Sequence, residues 1–126
     1  LRELCQASDL HLVPLLAPTS TDERISRVCN HAGGFIYCVQ TTGVTGARDQ
    51  LREGVAELVR RIRRHTPLPV LVGFGVSKRE HVEEISGFAD GAIVGSALLD
   101  AIDRAPAEKA IETASGFLRS LKAPAR

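Results

Sequence analysis

Apolar positions along the chain change period several times, and each change marks a new element. Leu10-His11-Leu12-Val13-Pro14-Leu15-Leu16 is a nearly continuous apolar run ended by Ala17-Pro18-Thr19, the pattern of a strand buried on both faces. Thr19 to Glu23 follow as capping residues and first-turn acids, after which Ile25, Val28, Cys29 and Ala32 recur at helical spacing up to Gly33-Gly34. Phe35-Ile36-Tyr37-Cys38-Val39 reads as a second strand, and Gln40 to Asp49 as a polar, glycine-bearing loop. Leu51, Val55, Leu58, Val59 and Ile62 form one helical stripe that ends among Arg60, Arg61, Arg63 and Arg64, where the helix dipole favours cations. A third strand is expected over Pro69 to Gly73, a short helix from Ser77 with Val82 and Ile85 inward, and a fourth strand at Ala92-Ile93-Val94. The end is helical: Ala97 to Ile102, then Ala110, Ile111, Ala114, Phe117, Leu118 and Leu121 on one face.

Strands that alternate with helices imply right-handed crossovers and a parallel sheet, which places the chain in the α/β class. Four strands starting near residues 10, 35, 69 and 91 suit either a small open sheet or half of a (β/α)8 barrel, whose usual length is about 250 residues. The first and fourth strands carry no charges that would protect an open edge, which argues for neighbours beyond them.

Composition narrows the function classes. With 16 Lys+Arg against 15 Asp+Glu, a net charge of +1 and a mean hydropathy of zero, the 126 residues make no electrostatic case for nucleic acid or an anionic membrane. The arginine cluster therefore reads as a solvated helix end rather than a phosphate or RNA patch. No apolar run reaches the roughly 20 residues of a spanning helix, and no secretory signal is visible. Cys5, Cys29 and Cys38 are odd in number and lack metal-ligand spacing, so they suit packing in a reducing, cytoplasmic compartment better than disulfides or zinc. The chain has no Met and opens inside a helical pattern at Leu1-Arg2-Glu3-Leu4-Cys5 with no cap, the signs expected of a piece of a longer protein.

Glycine carries the candidate chemistry. The second strand leads to Gly43-Val44-Thr45-Gly46, the third ends in Gly73-Phe74-Gly75 with Ser77 as a candidate cap, and the fourth ends in Gly95-Ser96 at the start of a helix. Glycine lets a ligand approach the backbone, and amides at a helix N-terminus carry the positive end of the dipole. The three turns together describe an anion site at the C-terminal ends of parallel strands, with Gly75, Gly95 and Ser96 at its centre. A general acid or base is harder to find: the four His are scattered, Asp90 precedes the fourth strand on the opposite, stabilising end, and Asp49 falls in the loop. Tyr37, the single Tyr, reads first as packing and second as a pocket wall.

The runs Phe35 to Ala47, Leu68 to Ser77 and Ala89 to Ala97, with Leu15 to Thr19 and Asp22 to Ile25 upstream, resemble the tryptophan synthase alpha chain family over essentially the whole sequence. The combination of G-V-T-G-A with G-F-G-V-S is the specific part, and Gln40-Thr41-Thr42 departs from a family pattern that has a Ser and often an Arg there. The resemblance implies a TIM barrel present here as strands five to eight with their helices, the phosphate-binding C-terminal half, spanning residues 1–126 with no second domain. It implies cleavage of indole-3-glycerol phosphate to indole and glyceraldehyde 3-phosphate, beside a beta chain that holds the pyridoxal phosphate, this chain needing no cofactor of its own and no metal. By motif position, Gly46, Gly75, Gly95 and Ser96 would hold the phosphate, Leu16, Tyr37, Phe74 and Ile93 would line the indole pocket, and Thr45 would sit on the closing loop. The family's two catalytic carboxylates, a Glu and an Asp, belong to the first half of the barrel, so no catalytic residue is expected here. A free-standing phosphate-binding module and half of another phosphate-binding barrel enzyme are the alternatives.

Overall fold

A computed structural model of the chain describes residues 1–39, 48–73 and 75–122. The described elements are α1 (Arg2–Ala7), β1 (Leu15–Leu16), α2 (Asp22–Cys29), β2 (Ile36–Val39), α3 (Arg48–Arg63), β3 (Val70–Gly73), α4 (Arg79–Ser86), β4 (Gly91–Ala92), α5 (Ser96–Asp103), a 3-10 turn at Ala107–Lys109 and α6 (Ala110–Leu121). The strands form one sheet in the order β1-β2-β3-β4, every pair parallel, as alternation with helices requires.

Strand alternation sorts the sheet into two unlike faces. Leu16, Cys38, Val72 and Ala92 lie in one register row, and with Ile36 and Val70 they meet Ile25 and Cys29 of α2, Val55, Leu58, Val59 and Ile62 of α3 and Ile85 of α4 in a single core. The neighbouring row, Leu15, Tyr37, Leu71 and Gly91, contributes nothing to that core, and Leu15 is 54% exposed. The sheet is thus covered by helices on one side and open on the other.

That openness corrects the expected first strand. Leu10 to Leu16 was read as buried on both faces, yet only Leu15–Leu16 are strand and Leu10 and Leu12 are exposed along with Leu15. The lead-in still runs beside β2: Gly33 N–H donates to the Leu12 carbonyl (3.2 Å) and Tyr37 N–H to the Pro14 carbonyl (3.0 Å), while Pro14 has no N–H to give. Other boundaries move for local reasons. Helix α2 ends at Cys29 rather than at the glycines, because His31 and Ala32 donate back three residues in a tightened last turn. Asp49 lies within α3, not in a loop.

Helix α6 was expected to turn six apolar residues inward. The helix packs against α5 and α4, with Leu121 buried and Ala110, Ala114 and Phe117 half-buried, but Ile111 and Leu118 are exposed. These two are seven residues apart and share an azimuth about a quarter of a turn off the packed stripe.

Two of the four arginines at the end of α3 tie it to neighbouring elements. Arg61, one-fifth exposed, donates from Nε to Asp22 (2.7 Å) and from Nη2 to the Ser20 carbonyl (2.7 Å), tying α3 to the start of α2. Arg63 meets Asp90 at 3.1 Å, and Asp90 also accepts the Val70 N–H at 2.8 Å. Asp90 is therefore a latch at the N-terminal end of β3, on the stabilising side of the sheet. Arg60 makes only an exposed pair with Glu57.

Candidate functional site

The register that builds the core also gathers the glycine turns. Val72 pairs with Ala92, so Gly75 and Gly95 follow the C-terminal ends of adjacent parallel strands at the same level. Gly75 has φ +50, a left-handed conformation that only glycine adopts cheaply, and a Cβ placed there would meet nothing within 4 Å. The next residue, Val76, is buried and anchors the turn.

Gly95 is the N-cap of α5, and its own surroundings are equally open. Its carbonyl accepts the N–H groups of Leu98 (3.0 Å) and Leu99 (3.2 Å), which starts the helix and leaves the Ser96 and Ala97 amides without a partner among the described residues. Ser96 is exposed, and its hydroxyl does not cap the helix. Two glycine corners, open among the described residues and with unpartnered amides at the start of α5, can accept an anion between them.

Ser77 does not cap α4 as the sequence suggested. The helix begins at Arg79 with Lys78 as N-cap, and the side chain that reaches back is His81, whose Nδ1 accepts the Ser77 N–H at 3.3 Å.

On the open face, large side chains lean onto glycines of the next strand. The Tyr37 ring lies across Gly73, where an added Cβ would fall 2.5 Å from the ring and from the hydroxyl oxygen, and Leu71 lies across Gly91 with its Cδ2 3.0 Å from an added Cβ. The Tyr37 hydroxyl therefore sits at the C-terminal end of β3, beside the turn that carries Gly75. Ile93, half-buried, continues β4 by donating its N–H to the Val72 carbonyl (2.8 Å), and it is absent from the core to which Ala92 and Val94 belong.

The structure thus brings Tyr37, Ile93, Gly75, Gly95 and Ser96 to one face and one end of the sheet. It does not bring Leu16 there: that side chain is buried in the core, in the row of Cys38 and Val72, on the side opposite Tyr37. Gly46, Thr45 and Phe74 lie outside the described residues. Sequence reasoning passed over Gly91 and His81, and it gave Gly73 only as the end of the third strand, without the ring that lies over it. Two of the three matter only through strand pairing, and for His81 the available signal was its place in the first turn of a helix whose cap residue is a Lys.

The buried thiols lie on the opposite, core face of the sheet. Burial pushes the Cys38 thiol up to about 12, with Cys29 nearby adding to the shift, and raises Cys29 as well. Among the described residues there is no cluster of His, Cys, Asp and Glu able to hold a metal, and no helix long and apolar enough to cross a membrane.

Comparison with known proteins agrees with this architecture. The family model "Tryptophan synthase alpha chain" matches residues 1–123. A curated tryptophan synthase alpha chain from Roseiflexus sp. (strain RS-1) is 49% identical over 94% of this chain, which corresponds to 45% of that protein. A second, from Methanocaldococcus jannaschii, is 46% identical over 79% of this chain and 36% of its own length. Among solved structures, the tryptophan synthase a2b2 complex of Pyrococcus furiosus aligns with a TM-score of 0.79 at 36% identity, covering 95% of this chain and 48% of that one. The alpha subunit from Campylobacter jejuni aligns at 0.80 and 28% identity, over 91% of this chain and 46% of its own. The chain spans about half the length of these relatives, as four strands of an eight-stranded barrel would. These 126 residues, folded as a half barrel of the TIM-barrel type, belong to the tryptophan synthase alpha chain family.

Proposed function

We propose that this chain is the C-terminal, phosphate-binding half of an enzyme that cleaves indole-3-glycerol phosphate into indole and glyceraldehyde 3-phosphate, a carbon–carbon lyase of tryptophan biosynthesis. The observation that carries the reading is the pair of open glycine corners, Gly75 at φ +50 and Gly95 before the free amides of α5, on adjacent strand ends. A phosphate there accepts from Gly75, Gly95 and Ser96, and Gly46 joins them from the loop after β2. The indole ring lies over the open face against Tyr37 and Ile93, with Phe74 as a further wall, and Thr45 belongs to the loop that closes over the substrate.

The proton transfers and the stabilisation of the charged indole ring come from a Glu and an Asp outside these 126 residues. General acid–base groups are each worth about 10²–10⁴ in rate, so a phosphate cradle without them is close to inert. The partner is a tryptophan synthase beta chain, in which pyridoxal phosphate resides; the complex is cytoplasmic. The a2b2 assembly of the Pyrococcus furiosus relative supports that partnership.

Reconstitution tests the reading. The 126-residue chain alone should release no indole from indole-3-glycerol phosphate, and mixing it with a separately produced first half that carries the two carboxylates should restore release. Substantial turnover by the chain alone would overturn this division of labour.

A further inference from the structure

We infer that His81 is a positioning residue for the turn between β3 and α4: by accepting the Ser77 N–H it holds that turn in the form that takes a phosphate. The inference rests on the phosphate reading of the Gly75 corner given above.

The turn needs a holder. Gly75 is left-handed and exposed, with open space on its Cα, and a glycine without neighbours is the residue that loses most freedom when a ligand fixes it. Val76 pins one point of the turn by burial. The second point is the 3.3 Å hydrogen bond from Ser77 to His81 Nδ1, which spans the junction between turn and helix. The His81 backbone is itself held, since its main-chain N–H donates to the Lys78 carbonyl (3.2 Å). The first turn of α4 is fixed in turn by Arg79, whose Nε donates to the Ser120 carbonyl at the end of α6 (3.1 Å). A continuous set of contacts therefore runs from α6 through α4 to the glycine corner.

The arrangement is a capping box displaced by one residue: the third residue of the helix reaches back, but to the amide before the N-cap rather than to the N-cap itself. Two consequences follow for an anion. The Ser77 amide is already used, so the anion is left to the other amides of the two glycine corners. The imidazole must also be the neutral tautomer with its proton on Nε2, because only an unprotonated Nδ1 can accept.

The test uses the full 126-residue chain, isotopically labelled and titrated with inorganic phosphate. Phosphate should shift the amides of Gly75, Gly95 and Ser96, and no response at these amides would overturn the phosphate reading together with the inference. Given that response, His81→Ala and His81→Leu should weaken phosphate binding about fivefold, the worth of one hydrogen bond. His81→Asn places an oxygen where Nδ1 stood and should recover wild-type affinity to within about twofold. Equal affinity in all four proteins, or an Asn variant as weak as the Leu variant, would overturn the role of His81 and leave the phosphate site standing. Nitrogen shifts of the wild-type imidazole give a reading that needs no variant to fold. An Nε2–H tautomer with slow exchange at the Ser77 amide is expected, and an Nδ1–H tautomer would contradict the inference.

Discussion

Tyr37 and Gly73 form the tightest fit in the candidate site. An added methyl at Gly73 would stand 2.5 Å from the ring, and the obstacle is a half-buried aromatic wedged between strands, not the far end of a mobile chain. Gly73→Ala should therefore cost about 1–3 kcal/mol through overpacking and swing Tyr37 off β3. The chain has one Tyr and no Trp, so its intrinsic emission reports this contact alone. Urea unfolding followed by tyrosine emission should show a lower midpoint and an altered native signal, and an unchanged native signal would refute the wedge. The thiols make a second case at this scale. Cys38 titrates near 12 in the fold against about 9 when unfolded, so its raised value favours the folded state fully below pH 9, and that contribution is lost as pH rises from about 9 towards 12. At neutral pH both buried thiols should resist alkylation while part-exposed Cys5 reacts, so counting labelled thiols should give one without denaturant and three with it.

At the scale of elements, the ends of α3 and the middle of α6 invite opposite changes. Arg61 braces α2 through a carboxylate and a backbone carbonyl, so Arg61→Ala should cost about 1–3 kcal/mol, whereas Arg60→Ala removes only an exposed pair worth under about 1 kcal/mol. Gly116 sits inside α6 with nothing near its Cα, so Gly116→Ala should gain about 0.5–1 kcal/mol in helix propensity. Thermal unfolding of the three variants should rank them Gly116→Ala, Arg60→Ala, Arg61→Ala from most to least stable. Element order, parallel pairing and the α3 stripe were legible in the sequence because periods of 2 and 3.6 are imposed by local geometry. The glycine corners were legible because a strand running into Gly and then a helix leaves few conformations open, although neither Ser77 nor the Ser96 hydroxyl caps its helix. What the sequence could not show depends on which residues stand opposite one another. The Tyr37–Gly73 and Leu71–Gly91 fits exist only in the observed register, and the outward side of Ile111 and Leu118 depends on what α6 packs against.

For the molecule as a whole, the decisive asymmetry lies between the two faces of the sheet. Among the described residues, helices cover the row of Leu16, Cys38 and Val72, while Leu15, Tyr37 and Leu71 lie outside the core, and β1 and β4 each have one unpaired edge. A parallel sheet is ordinarily buried on both faces, and an uncharged apolar edge recruits another strand. An isolated half barrel should therefore associate with itself through this face, and the contact should yield to the complementary half of the barrel when that is supplied. Leu15 is the place to test it, because its side chain is over half exposed and so contributes little to the fold it belongs to. Leu15→Glu puts a charge on the open face at the edge of the sheet. By sedimentation, the unmodified chain should show concentration-dependent dimers or larger species. The Leu15→Glu variant should run closer to monomer, with its thermal stability shifted by less than that of Gly73→Ala. If a second half packs on this face, as the proposed function requires, the same charge should hinder recovery of indole release when the two halves are mixed. A chain that sediments as a single monomer at all concentrations, with Leu15→Glu indistinguishable from it, would mean that this face is satisfied without a neighbour.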